Sequence, residues 1–317
     1  MKISIIIPLC NGASTILMTL DSLLKQTFKF DELIVINNGS TDNSLELIND
    51  FLNKNLSKVK ILNNNRAQGL AKTYNDGIKS STGNLVITLH QDIILLENSL
   101  KQLVAPFFEK NNENIVATTH VVSHPFKNWS GYNFWGKVYF ARLVGKDFYG
   151  LDGKFDCFKK NALEQVDFFD EKHFRSAGED GDIVFKLKKI GKIYQTDAKI
   201  IHIHNINEKF SYKDIIFKQK QYSEAQGALL RLGRIVGLKN IFRSFFREIL
   251  VISLLIPFIN IISVVAIIIY SIIYSKIILL REFRNPRIFL VPFLNIYLLF
   301  ISLIYSSKAF FYGKQTI

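Results

Sequence analysis

The feature that most limits how this chain can fold is a change of texture near Ile249. Before it, apolar residues come in short runs between polar turns, as in a water-soluble domain. After it, positions 249–280 are almost all apolar or weakly polar, broken by Pro257 and Asn260, and 288–305 form a second run. A bilayer crossing takes about 20 such residues, so two crossings are the natural count. The connector Arg281-Glu282-Phe283-Arg284-Asn285-Pro286-Arg287 is basic, which suits an external loop poorly because basic residues collect on the cytoplasmic side. A hairpin that enters and returns, or a packed monotopic surface, therefore stays open beside two full spans. Ordinary core helices are the plain alternative. Residues 242–247 (Phe-Arg-Ser-Phe-Phe-Arg) read as an interfacial segment joining the tail to what precedes it.

The charge points the same way. The formal net charge of +13 over 317 residues is compatible with nucleic acid or with an anionic membrane surface. Much of the excess flanks the tail: Arg231, Arg234, Lys239, Arg243 and Arg247 before it, Arg281, Arg284 and Arg287 within it. No basic and aromatic nucleic-acid module stands elsewhere. Membrane lipids, and no nucleic acid, are the expected partners. Cys10 and Cys157 form neither a disulfide framework nor a metal spacing, and both read as reduced and buried. The apolar N-terminal run is too short for a signal peptide and stops at Pro8, so the first domain is expected on the cytoplasmic side of the cell membrane.

The first two-thirds alternate strand and helix. Residues 3–7 are a short β-branched run of the kind buried on both faces of a parallel sheet, and 33–36, 59–62 and 85–89 read as the second, third and fourth strands. Between them lie helical patterns through Ile16, Leu20 and Leu23 (with Ser14 as cap), through Leu45, Ile48 and Leu52, and over 69–79. The fold class is α/β: an open, mainly parallel sheet flanked by helices, followed by C-terminal hydrophobic membrane helices. Ligands of such sheets bind beyond the carboxyl ends of the strands. Polar sequences fall at those ends at 8–12, 37–42 and 90–92. One such turn means little, because strand-to-helix turns are polar anyway; three together mean more. Residues 121–158 are irregular and aromatic (Trp129, Tyr132, Phe134, Trp135, Tyr139, Phe140), and read as a sugar-binding wall, a bilayer-facing surface or a core under a long loop. Gly178-Glu179-Asp180-Gly181-Asp182 opens a helix, where carboxylates also serve as caps. The run 199–204 is a last strand, with His202 and His204 on one face.

Four of these stretches carry a resemblance. Ile-Ile-Ile-Pro-Leu-Cys-Asn-Gly at 5–12, Asn-Asn-Gly-Ser-Thr-Asp-Asn-Ser at 37–44, Gly-Leu-Ala-Lys-Thr-Tyr-Asn-Asp-Gly-Ile at 69–78 and Gly-Glu-Asp at 178–180 resemble glycosyltransferase family 2, in order and spacing, over about residues 3–205. The resemblance implies the GT-A fold, a nucleotide-sugar donor, a divalent metal (Mn²⁺ or Mg²⁺) and an inverting transfer. It implies donor contacts around Pro8, Asn11, Asn37, Gly39, His90 and Gln91. Asn37 stands where the family usually has Asp against the nucleobase. His90-Gln91-Asp92 stands in place of Asp-X-Asp and resembles the variant of one branch of the family. Asp92 is then a metal ligand, joined by His202 or His204, of which His202 is preferred. Asp180 is the general base, Glu179 helps orient acceptor or base, and Asp182 is a less well-spaced rival.

A hard cation and oxygen ligands suit the charge that grows on a nucleoside diphosphate as sugar departs, and an imidazole ligand favours Mn²⁺. The expected organisation is a catalytic domain over 1–210, a basic interfacial connector over 211–248 and a membrane-associated region over 249–317. Attachment to the bilayer implies a lipid-linked sugar or glycan acceptor and a role in surface polysaccharide synthesis. Transfer to polyprenyl phosphate is a rival within the same chemistry. A catalytically silent nucleotide-sugar-binding scaffold is a rival outside it, prompted by His90 and Asn37.

Overall fold

The computed structural model describes residues 1–55, 59–109, 114–204 and 209–316. Its backbone gathers into two compact units, Met1–Pro125 with Gly145–Asn205, and Phe126–Val144 with Ile206–Ile317.

The first unit is built on one nine-stranded sheet. Its strands are β1 (Ile3–Leu9), β2 (Glu32–Asn38), β3 (Val59–Asn64), β4 (Leu85–Leu89), β5 (Ile93–Leu95), β6 (Ile115–Ser123), β7 (Asp147–Gly150), β8 (Phe155–Lys159) and β9 (Lys192–His202). They lie in the order β3-β2-β1-β4-β8-β6-β9-β5, with β7 on β6. The half read from the sequence is parallel throughout: β2 pairs with β1 and β3, and β4 with β1. Beyond β4 the sheet is mixed. β8 runs antiparallel to both β4 and β6, β9 runs parallel to β6, and β5 pairs antiparallel with β9. Residues 147–159, expected to be irregular, are thus largely the strands β7 and β8.

Alternation explains the two cores. Ile3, Ile5, Ile7 and Leu9 of β1 point to one face and pack with Ile16, Leu20 and Leu23 of the helix Ile16–Leu24. Ile6 points to the other and meets Ala71, Tyr74 and Ile78 of the helix Leu70–Ser80. A strand covered on both sides has no need of polar residues, hence the unbroken aliphatic run. β1 continues one residue past Pro8, which pairs with Ile36. The first helix is capped at Thr15 and not at Ser14, and the Gly12 carbonyl takes the N–H groups of Thr15 and Ile16. Cys157 is buried as expected, but Cys10 is exposed, because it sits in the turn after β1 and not in the strand.

The second unit follows a different rule. The aromatic segment supplies its core: Trp129, Phe134, Phe140, Ala141 and Val144 are buried with Ile278, Ile288 and Val291. Trp129 donates its indole N–H to Lys137 O at 2.9 Å. Two helices, Ile259–Arg281 and Leu290–Tyr312, belong to stretches long and apolar enough to cross a membrane. The first begins only after Pro257, where Phe258 adopts φ 67° and the chain breaks from the preceding short helix. Its buried positions include Ser263, Ser271 and Ser275, while Ile261, Ile262, Ile268, Ile269, Ile272 and Ile273 are exposed. Ser271 Oγ donates to Pro292 O at 2.7 Å, and Asn295 Nδ2 to Ser275 Oγ at 3.0 Å. The helix Tyr212–Arg231 clasps the other end of Leu290–Tyr312 through a polar seam: Ser223 Oγ lies 3.2 Å from Ser302 Oγ, which donates to the buried Glu248 at 2.6 Å. A Cβ at Gly227 would stand 2.0 Å from Ser306 O, so glycine is what lets these two helices touch.

Candidate active site

Parallel strands deliver their carboxyl ends to one edge, and there β1, β2 and β4 release their polar turns. Side chains tie these turns together. Asn11, at φ 50°, accepts from Thr41 N at 2.8 Å and from Asp42 N at 3.3 Å through Oδ1. Asp42 Oδ2 accepts from Ala13 N at 3.0 Å. Asn37 Oδ1 accepts from Ser40 N at 3.1 Å, and its amide donates to Asn63 Oδ1 at 3.2 Å. Gly39 has φ +73°, and a Cβ there would lie 2.7 Å from the backbone of Arg66 and Ala67. Gln91 grips the turn after β1 at two points: Cys10 N donates to its Oε1 at 2.8 Å, and its Nε2 donates to Cys10 O at 2.9 Å. Its amide therefore braces the loop. Pro8 lies within β1 just before that loop, half-buried.

Next to this brace stand three groups from two strand ends. His202 closes β9, and its Nε2 lies 3.1 Å from Asp92 Oδ2; His90 Nδ1 lies 3.9 Å from Asp92 Oδ1. Ligand atoms of His90, Asp92 and His202 all fall within 4.8 Å of one another. His90 Nε2, Asp92 Oδ1 and His202 Nδ1 are buried without a hydrogen-bond partner. Burial pushes His90 down to about 4 and His202 well below the usual imidazole range, with the Lys154 charge adding to both. Neutral imidazoles beside a carboxylate, with lone pairs left over in a dry pocket, are what a cation site requires. His204 lies beyond the strand end with its ring 3.7 Å from that of His202, and His124 stacks on His204 at 5.8 Å. Both candidate histidines are thus at the site, and His202 is in contact with Asp92.

Glu179 and Asp180 open the helix Glu179–Leu187 behind Gly178, which takes the left-handed conformation. Glu179 is buried, its Oε2 has no partner, and burial, followed by the Asp180 charge, raises it to about 8. Burial also lifts Asp180, supported by the nearby Asp152, although Gly181 N donates to its Oδ1 at 2.7 Å. Asp182, the rival, is fully buried and paired with Lys186 at 3.0 Å. Its carboxylate serves the helix.

The structure adds groups that the sequence pattern did not single out. Tyr74 is buried, donates to Gly153 O at 2.9 Å and stacks on His90 with 19° between the rings. His120 of β6 is completely buried, with Nδ1 3.0 Å from Asp156 Oδ1 and Nε2 3.3 Å from Asp152 Oδ1. Burial opposes its charge, but the two carboxylates outweigh it and hold the ring protonated, at about 9. Ligand atoms of His120, Asp152 and Asp156 fall within 4.8 Å of one another, so the three form one buried polar network. Lys154 Nζ, 2.5 Å from Asp152 Oδ2, extends it. One signal for it was present: Asp156 is a charged residue between Phe155 and Cys157 in a buried run, which a fold tolerates when the charge is paired.

The family profile described as "Glycosyl transferase family 2" matches residues 4–167. The chain is 30% identical over 181 residues to the poly-beta-1,6-N-acetyl-D-glucosamine synthase of Staphylococcus epidermidis, covering 53% of this chain and 42% of that one. It is 32% identical over 109 residues to the UDP-Glc:alpha-D-GlcNAc-diphosphoundecaprenol beta-1,3-glucosyltransferase WfgD of Escherichia coli, covering 34% and 42%. The chain thus spans less than half the length of these relatives. In fold it is similar to a mannosyltransferase from Pyrobaculum calidifontis solved with GDP-Man and Mn²⁺, at a TM-score of 0.57 and 14% identity over 99% of this chain and 88% of that one.

Proposed function

This chain belongs to glycosyl transferase family 2, and on that footing we propose that it moves a sugar from a nucleotide-sugar donor, with inversion, onto a lipid-linked sugar or glycan at the cytoplasmic face of the cell membrane. The observation that carries this reading is a His90–Asp92–His202 set having unused lone pairs, in the same compact unit as the acids Glu179 and Asp180 at the head of one helix.

Asp92 and His202, with His90 beside them, fit a divalent cation, and the two imidazoles favour Mn²⁺ over Mg²⁺. Bound there, such an ion neutralises charge on the donor diphosphate as the sugar leaves. The fold-related mannosyltransferase, solved with GDP-Man and Mn²⁺, supports this assignment. Asp180 takes the proton from the acceptor hydroxyl as it attacks. Its raised proton affinity makes it a stronger base than an exposed carboxylate and moves the acid limb of the rate profile upward. Glu179, raised by burial and by the Asp180 charge beside it, orients the base or the acceptor. The turns carrying Pro8, Asn11, Asn37 and Gly39 receive the nucleoside. Gln91 acts by bracing that surface.

The acceptor follows from the tail and the relatives. Helices with serines inside and isoleucines outside suit lipid as solvent, and the basic residues around them suit an anionic leaflet. The named E. coli relative uses a diphosphoundecaprenol-linked sugar and the named synthase makes a polysaccharide. We therefore place this chain in surface glycan synthesis on a lipid carrier. The test is nucleotide release from UDP-, GDP- and dTDP-sugars by the full chain in lipid nanodiscs, with Mn²⁺ or EDTA. Metal-dependent release from one donor class is expected. Binding of a donor with no turnover under any acceptor or metal condition would instead support a silent scaffold.

A further inference from the structure

The site holds a positive charge that the reading above leaves without a task. Lys154 lies between β7 and β8 in a turn whose backbone is fixed from three directions. Lys154 O accepts from His90 N at 2.9 Å, Gly153 O accepts from Tyr74 Oη at 2.9 Å, and Gly153 N donates to Asp156 Oδ2 at 2.7 Å. The turn is thereby locked to the end of β4, where the His90–Asp92 pair begins.

Four side chains then run outward in alternating sign. Asp156 is fully buried and holds His120 at 3.0 Å; His120 faces Asp152 at 3.3 Å; Asp152 holds Lys154 at 2.5 Å. The inner pair is shut off and the outer pair partly open: 0% exposure for the Asp156 and His120 side chains, 29% for Asp152 and 22% for Lys154. Burying the inner pair costs desolvation, which a fold sustains when the geometry is otherwise complete. What this expense secures is the direction of the outermost pair.

The turn also approaches the cation site: a Cβ on Gly153 would lie 3.9 Å from His90 Nε2, and the Tyr74 ring held by Gly153 O stacks on His90. The surroundings are otherwise rich in carboxylates, so a nucleoside diphosphate entering them needs positive charge beyond that of one divalent ion. An ammonium has three N–H donors and can keep Asp152 while giving another to a phosphate oxygen.

We propose that Lys154 binds the diphosphate of the donor nucleotide, and that Asp152, steered by the buried His120–Asp156 pair, holds the ammonium in place for it. This rests on the donor reading above. The test is calorimetric titration of the full chain in nanodiscs with Mn²⁺ and three nucleotide pairs: UDP and UMP, GDP and GMP, dTDP and dTMP. Wild type is compared with Lys154→Met, Lys154→Gln and Lys154→Arg, each checked for an unchanged melting temperature. For the diphosphate that wild type prefers, loss of one charged contact is expected to weaken binding by at least about tenfold in Lys154→Met and Lys154→Gln. The matching monophosphate should change by less than about twofold, and Lys154→Arg should retain most of the diphosphate affinity, because its charge is kept. Equal diphosphate affinity in wild type and in whichever neutral variant folds would overturn the role of Lys154 while leaving the donor reading intact. Absence of binding by wild type to all three diphosphates would overturn the donor reading, and this inference with it.

Discussion

The two units solve opposite problems with the same residue types. In the first, aliphatic side chains fill both sheet faces, and the buried His120 ring sits paired between Asp152 and Asp156. In the second, the Ile259–Arg281 helix turns serines inward and isoleucines outward, and the Tyr212–Arg231 helix meets its neighbour through glycine, glutamine and serine. The contrast teaches that burial has no fixed chemistry. Where water is the solvent, apolar area drives the core; where lipid is, close backbone approach and internal hydrogen bonds do.

The largest effect should come from breaking that pairing in the first unit. His120→Ala leaves two carboxylates facing each other without their cation, and a loss of about 3–5 kcal/mol is expected, read as a fall in the unfolding midpoint at pH 7. If stability were unchanged, the network would contribute nothing to the fold. Next comes the outer face of the second unit. Ile269→Asp, at a position 51% exposed, should cost about 2.5–3.5 kcal/mol in membrane insertion and release chain from membranes in carbonate extraction. The same substitution on a surface in contact with water would pass unnoticed. Gly227→Ala tests the seam: the new methyl meets Ser306 O, and a loss of about 1–3 kcal/mol in detergent unfolding is expected from overpacking.

The smallest effect sharpens the electrostatics of the site. Glu179 binds its proton more tightly folded, at about 8, than at its ordinary 4.5, so the folded state carries the excess proton between those values. Stability therefore falls as pH rises through that window. Glu179→Gln removes the titration. The variant should match wild type near pH 5 and melt higher near pH 8.5, with the gap opening as pH rises through that window. A variant equally shifted at both pH values would show that packing and not protonation is responsible.

How much of this was legible in the sequence depends on the direction of the chain. β1, β2 and β4 announce themselves, because strands buried on both faces are aliphatic and their turns are polar, whereas β3, at the sheet edge, is half-exposed and reads more weakly. Asn11, Asn37, His90 and Asp92 fall at those turns, so local pattern alone places them at one edge. Lys154, Asp156 and His120 were illegible as a group. They converge only because β8 inserts antiparallel between β4 and β6, a pairing that no local periodicity encodes. Tyr74 was hidden for a related reason: on its helix it reads as one more core aromatic, and its hydroxyl contact with Gly153 spans 79 residues. Gln91 shows the converse, a polar residue at the right turn whose amide is occupied in bracing Cys10. The aromatic run 129–140 could be read three ways and is largely core, because its partners Ile278, Ile288 and Val291 come from the tail.

The central claim is that Asp180 is the base of a sugar transfer at this edge, and the most direct measurement is a paired one on Asp180→Asn in nanodiscs with Mn²⁺. Donor affinity and the rate of donor turnover are taken on the same sample. The account predicts affinity within about threefold of wild type and a rate lower by about 10²–10⁴-fold, the usual worth of a positioned general base. Turnover at the wild-type rate would contradict it.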